Sequence, residues 1–219
     1  RNYEQCIKNT EMVSKESIEW CRDVLTEYFS VVGREETIDK ARRLFQGLEQ
    51  QREGKKVPYI INRQEGITYE QFHQLTIQRR SVRWFEQKKV PRELTEKALN
   101  AALNSPSACN RQPFKFYIFD EPQLAQKVGS IPMGTKGFSQ NFPAVAVIVG
   151  ELRAYPFERD RHVIYVDVSL AAMSFMFALE SLGLSSCPIN WPDVEQLERK
   201  MEKTLGLAPD QRPIMLIAF

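Results

Sequence analysis

Two histidines in 219 residues leave little room for histidine-based chemistry. His73 and His162 stand far apart, and neither has a cysteine or carboxylate at metal-ligand spacing, so no metal is expected and His73 reads as a helix-surface residue. The four cysteines (Cys6, Cys21, Cys109 and Cys187) form no C-x-x-C pair. That argues against a disulfide framework or a zinc site and for reduced thiols in a cytoplasmic protein. Only 10 glycines occur, and none build G-x-G-x-x-G after a strand, so a Rossmann dinucleotide site is unsupported. The stretch Gly134-Thr135-Lys136-Gly137 lacks P-loop spacing, and neither G-x-S-x-G nor H-E-x-x-H is present. An excess of one charge is missing as well: 30 Lys and Arg against 28 Asp and Glu leave +2, too little to argue for nucleic acid or a membrane surface as partner. The longest apolar stretch, 163–182, is interrupted by Asp167 and Glu180 and reads as a buried helix rather than a membrane span. The opening residues do not read as a secretory signal.

What is there has the composition of a soluble globular protein, 42% hydrophobic and 26% charged. Residues 1–66 differ in texture from the rest. Ile18, Cys21, Val24, Leu25, Tyr28, Phe29 and Val32 recur at helical spacing up to a stop at Gly33. Ile38, Ala41, Leu44, Phe45 and Leu48 mark a second amphipathic helix. A polar linker over 50–56 and a short extended piece over 57–61 complete a helical preface. From Thr68 the rhythm becomes mixed. Thr68 and Gln71 have capping-box spacing, opening a helix with Phe72 and Leu75 on its buried face. Pro91 suits the first turn of the next helix, whose inner stripe is Leu94, Ala98, Ala101 and Ala102. Residues 114–119 are predicted as a strand, followed by a helix from Asp120, Pro122 and Gln123 to about Gly129. The run 144–149 is apolar without alternation, as a central strand buried on both faces would be. In the long helix that follows, Val166, Leu170, Met173, Phe177 and Leu182 are too many for one face, which asks for the core or a partner subunit; Gly183 caps it. Asp193 with Gln196 opens a last helix before a strand over 213–219.

Two segments stand out chemically. Arg79-Arg80-Ser81-Val82-Arg83 places three guanidinium groups and a hydroxyl at the end of a helix. Arginine offers planar forked donors that fit a phosphate bidentately. Residues 105–113, Ser-Pro-Ser-Ala-Cys-Asn-Arg-Gln-Pro, hold two amides, Asn110 and Gln112, in a proline-stiffened loop. Such amides can read the edge of a flat heterocycle.

In this order and spacing, and with a third match at Gly183-Leu184-Ser185-Ser186-Cys187-Pro188-Ile189-Asn190-Trp191, the chain from Thr68 onward resembles the nitroreductase family. The resemblance implies an α+β fold, a central, mainly antiparallel sheet flanked by helices, in an intertwined homodimer. Here the helical extension and linker would occupy 1–66 and the flavin mononucleotide (FMN) domain 67–219. It implies FMN as cofactor, NADPH or NADH as reductant, and electron transfer by a ping-pong mechanism to a small oxidised organic substrate such as a nitroaromatic or quinone. No catalytic side chain is implied, since flavin N5 carries the chemistry. The cofactor contacts implied are Arg79, Arg80, Ser81 and Arg83; Pro106, Ser107, Ala108, Asn110 and Gln112 from the neighbouring subunit; and Pro188, Ile189 and Asn190 along the ring. Neither a nucleic acid nor a membrane is implied as partner. The family's basic arm beyond the last strand has no counterpart before Phe219. The alternatives are a related flavin dehalogenase or dehydrogenase, or a flavin-binding or interaction protein without turnover.

Overall fold

Helices come first along the chain and strands later, in a computed structural model in which residues 2–8, 15–48 and 66–219 are described. The linker over 50–56 and the extended piece over 57–61 lie outside the described residues. The chain divides into two compact units, Arg1–Gly66 and Ile67–Phe219.

In the first unit, a short helix not read from the sequence, α1 (Asn2–Lys8), precedes α2 (Lys15–Val31) and α3 (Glu36–Gln46), which follow the apolar periodicity. Tyr3 of α1 and Phe29 of α2 both meet Phe45 of α3, with ring centroids 5.7 and 5.4 Å apart. Arg42 closes this small core from the side: its guanidinium lies over Phe29, pairs with Asp39 and donates to the Val32 carbonyl at 3.0 Å. That last bond ties α3 to the end of α2, where α2 stops two residues before Gly33.

The second unit opens with α4 (Tyr69–Gln78), and the capping box forms as the spacing predicts: Thr68 Oγ1 accepts from the Gln71 N–H while Gln71 Oε1 accepts from the Thr68 N–H. Phe72 is not on a buried face, however. It is 48% exposed within the chain and meets Phe177 edge-on at its rim. Then come α5 (Arg92–Ala102), β1 (Phe114–Phe119), α6 (Pro122–Gly129), β2 (Val145–Glu151), α7 (Val163–Ser181), β3 (Cys187–Asn190), α8 (Glu195–Leu205) and β4 (Gln211–Ala218). Pro91 is the N-cap of α5 rather than a first-turn residue. Asp193 does not open α8 either; Val194 is its N-cap, without a side-chain cap. Gly183, at φ 78°, and Gly206, at φ 66°, take the left-handed conformation just past α7 and α8, where a side chain would be strained.

The four strands pair in the order β1-β2-β4-β3, every pair antiparallel. β2 is central and buried on both faces, as the unalternating run 144–149 requires. Ala146 and Ile148 face a core built with α5 and α7, while Val145, Val147 and Val149 face one built with α6 and α8. Alternation along the strand thus persists in direction while both sides are apolar. The sheet is therefore sandwiched between helices, which is how an antiparallel sheet comes to carry the sequence texture usual for parallel ones.

The α7 pattern resolves differently from the periodicity argument. Its inward residues are Ile164, Val168, Ala171, Ala172, Phe175 and Leu179, all buried against the sheet. Val166, Leu170, Met173 and Phe177 share a single opposite stripe, because their 4-3-4 spacing returns to one side of the helix. Val166 remains 52% and Leu170 43% exposed in the single chain. The stretch 158–181 is apolar and long enough by composition to cross a membrane, but α7, which makes up most of it, packs one side on the sheet.

Candidate functional site

Arg79 is the C-cap residue of α4, which turns its side chain away from the helix just as the chain becomes extended. Its Nη1 atom is buried and has no hydrogen-bond partner. A buried charged donor left unmet is costly, and such groups call for an acceptor that arrives from outside. Next to it, Ser81 forms a parallel bridge with Ser186, and the Val82 N–H donates to the Ser186 carbonyl at 3.1 Å. Ser186 Oγ is likewise buried and unpartnered. The segment 79–83 is therefore held beside Ser186, at the entry to the strand that follows. Cys187 registers both arginines: burial pushes its thiol up, and the nearby Arg83 and Arg79 guanidinium groups pull the other way. Arg80 and Arg83 are exposed, and the Arg83 guanidinium lies 5.9 Å from the Phe138 ring centroid. Three cationic forks and two hydroxyls around one strip of backbone are a donor set suited to a phosphate and a polyol chain.

Pro188, Ile189 and Asn190 form β3 and pair with Ile217, Leu216 and Met215. β3 is an edge strand, so it keeps one side of its backbone free for a ligand. Ile189 is buried in the core shared with α6 and α8, and Asn190 is exposed. Trp191, which follows, is buried and donates through Nε1 to Glu198 Oε1 at 2.5 Å. Glu198 Oε2 is buried without a partner, and burial pushes the Glu198 carboxyl above its ordinary range despite the Trp191 bond and nearby Arg212. For an acid raised in this way, stability is full at pH below the ordinary carboxylate range and is lost as pH rises through the folded value. Glu198→Gln stays neutral and keeps an oxygen for Trp191. Its melting temperature relative to the parent should rise as pH increases above the ordinary carboxylate range, where the unfolded parent ionises Glu198 more readily than the folded one. A parent protein that gains on the variant over that rise in pH would contradict the assignment.

The loop carrying Pro106, Ser107, Ala108, Asn110 and Gln112 is built to hold one shape. Cys109, Asn110 and Gln112 have φ of 52°, 51° and 45°, a cluster of left-handed residues that only a firmly anchored loop retains. The anchors are specific. Ser107 Oγ accepts from the Gln112 N–H at 2.8 Å, and Gln112 Nε2 donates to the Leu103 carbonyl at 2.7 Å. The Ala108 N–H donates to Asp167 Oδ1 at 3.2 Å, and the Tyr155 hydroxyl donates to Asp167 Oδ2. Burial and the Asp167 contact raise the Tyr155 hydroxyl well above its usual range, so it stays a donor. Arg111 covers the Tyr155 ring at 5.5 Å and donates to the Ala154 carbonyl. With one N–H of Nε2 engaged, Gln112 keeps its amide oxygen and its second N–H for a ligand, whereas Asn110 is exposed and its side chain makes no hydrogen bond among the described residues.

One chain does not bring this loop to the arginines. The loop enters β1 at Phe114, in the row Phe114–Gly150–Arg212, whereas Cys187 lies in the row Phe119–Val145–Ala218. The two sites are at opposite ends of β1's length, about 17 Å, and on opposite edges of a four-stranded sheet, about 14 Å across.

Two contributors were not singled out by the sequence: Ser186 stands inside the third matching segment as one small residue among several, and Asp167 reads only as one of two charges interrupting an apolar helix, its partners appearing only in three dimensions.

The family model for the nitroreductase family matches residues 76–135 and 131–219. Among curated relatives, the Methanothermobacter thermautotrophicus protein named "Putative NADH dehydrogenase/NAD(P)H nitroreductase" is 28% identical over 125 residues, 57% of this chain and 61% of that protein. The chain thus spans about three fifths of that relative's length. The iodotyrosine deiodinase of Thermotoga neapolitana is 26% identical over 151 residues, 58% of this chain and 77% of that one. Among solved structures, the FMN-dependent nitroreductase of Clostridium difficile R20291 superposes with a TM-score of 0.57 at 24% identity, covering 66% of this chain and 83% of that one. The nitroreductase family protein of Clostridium novyi NT gives 0.59 at 20% identity, covering 67% and 84%.

Proposed function

Starting from the fact that the chain belongs to the nitroreductase family, we propose that it is an FMN-dependent oxidoreductase. The observation that carries this reading is the buried, unpartnered Arg79 Nη1 beside the Ser81–Ser186 bridge, a cationic donor whose chemistry suits a phosphate. When bound, FMN supplies hydride and electron transfer between NADPH or NADH and a small oxidised organic substrate, such as a nitroaromatic or a quinone. The residues of the chain then need only hold and tune. Arg79, Arg80 and Arg83 bind and neutralise negative charge, Ser81 and the free edge of β3 (Pro188, Ile189, Asn190) align the ligand, and the partly dry setting strengthens each contact. Reductant and oxidant would use the same opening in turn, which is a ping-pong order.

The protein would work as a homodimer. The separation of the loop 106–112 from the arginines within one chain supports a partner that supplies Pro106, Ser107, Ala108, Asn110 and Gln112 to each site. The outward stripe of α7, with Val166 and Leu170 exposed, Met173 and Phe177 half-buried, and the exposed Phe72 beside Phe177, supports α7 as the contact. Reductive dehalogenation is a second reading, favoured by relatives named iodotyrosine deiodinase in both mouse and Thermotoga neapolitana.

The protein purified without added cofactor is expected to show flavin absorption, or to acquire it on adding FMN, and to bleach under NADPH or NADH without oxygen. A colourless protein that takes up no FMN would refute the proposal. If the bleached protein were reoxidised by an iodinated phenol with release of iodide, and not by a nitroaromatic or quinone, the second reading would replace the first.

A further inference from the structure

Arg83 owes its place to a residue 58 positions away. Asn141 ends the short 3-10 turn Ser139–Asn141 and is buried, with 7% of its surface exposed. Its Oδ1 accepts from the Phe85 N–H at 2.7 Å, and its Nδ2 donates to the Arg83 carbonyl at 2.5 Å and to the Phe138 carbonyl at 3.0 Å. Its own carbonyl accepts from Gln87 Nε2 at 3.0 Å. Among the described residues, no backbone-to-backbone hydrogen bond involves Arg83, Trp84 or Phe85. The Asn141 amide stands in for the missing strand partner, engaging a carbonyl and an N–H on either side of Trp84. It also fixes the carbonyl of Phe138, whose ring lies under the Arg83 guanidinium.

We infer that Asn141 is a positioning residue of the cofactor site, acting through Arg83: its amide sets both the backbone that carries the guanidinium and the ring on which that group rests. The inference deepens the flavin reading and rests on it. Without the amide, the segment keeps the Val82–Ser186 bond and the packing of Phe85 on Phe142, whose ring centroids are 6.2 Å apart. Truncation therefore frees the arginine without detaching the arm. A long exposed cation that is no longer held loses much of its advantage as a preset donor, because ordering it again on binding costs side-chain entropy.

The test is a double-mutant cycle on FMN affinity, read from quenching of flavin fluorescence on titration of the cofactor-free protein. Arg83→Ala is expected to weaken FMN binding roughly tenfold or more, and Asn141→Ala to approach the same loss. The double variant should be no weaker than Arg83→Ala alone by more than about threefold. A purely structural Asn141 would cost the same factor with or without Arg83, so additive losses overturn the inference, as does an Asn141→Ala protein with unchanged affinity. Should the alanine variant fail to fold, Asn141→Asp retains the size and the acceptor for Phe85 but loses both donors. It is expected to weaken FMN binding in the same non-additive way, and wild-type affinity in that variant overturns the inference. A parent protein that takes up no FMN overturns the flavin reading together with this one, whereas a parent that binds and shows additive losses overturns the positioning role alone.

Discussion

Leu170→Asp is expected to give a folded monomer that binds FMN poorly. Leu170 lies mid-way along the outward stripe of α7 and is 43% exposed in the single chain, so the substitution removes little from the monomer's own core. In a two-fold dimer the same position is used twice, so two carboxylates would be carried into an apolar contact at once. Burying unpaired charge costs several kcal/mol, and each ~1.4 kcal/mol is a factor of ten, so the dissociation constant should rise by at least about a hundredfold. Cofactor loss follows from geometry. The loop around Asn110 and the arginines around Arg79 lie at opposite ends and edges of the sheet, so on the proposed reading a monomer would offer FMN only half a site. Sedimentation, circular dichroism and flavin fluorescence measured on one sample would decide the matter. A parent protein that is monomeric yet binds FMN would defeat the account, and so would a Leu170→Asp protein that remains dimeric with full affinity.

Arg79→Ala should lower FMN affinity by roughly ten- to a hundredfold, the scale of a charge-assisted hydrogen bond lost from a buried setting. The more discriminating expectation concerns the protein without cofactor. With Nη1 buried and unpaired, the guanidinium is a burden until an anion arrives, so the cofactor-free variant should melt no lower than its parent and can melt higher. Arg79→Lys keeps the charge and loses the planar fork, and it should recover only part of the affinity. Equal destabilisation of both forms would mean that Arg79 supports the fold rather than a ligand.

Local rules of the chain were legible where a short stretch decides its own conformation. The Thr68–Gln71 capping box, the Gly183 stop, the β1 strand and the doubly buried β2 all depend on neighbours within a few residues or on composition alone. Errors arose where a second element decides. Val194 rather than Asp193 caps α8, because the chain leaves β3 through Trp191 and its bond to Glu198 before it can turn. Helical spacing puts Phe72 on a buried face, but among the described residues it is 48% exposed. The arginine segment was readable as chemistry, since guanidinium spacing is a local property. The loop 106–112 was readable as rigid from its prolines, but not the means: Asp167 and Tyr155 reach it from 44 residues or more along the chain, and single residues at that separation leave no pattern.

The sheet order has a consequence for how the domain is made. β4 lies between β2 and β3, and among the described residues β3 pairs with no other strand. While the ribosome is still extending the chain, β1 and β2 can join, but one side of β2 stays open and β3 remains unpaired. Both wait for residues 211–218 to emerge, some sixty positions after β2 has done so. During that interval a largely apolar strand presents its free edge to any other nascent chain, a state prone to wrong pairing. Closure is then a single late event in which one strand completes both cores, so the domain should gain its resistance to proteases abruptly once residues 211–218 are free to pair, rather than by degrees.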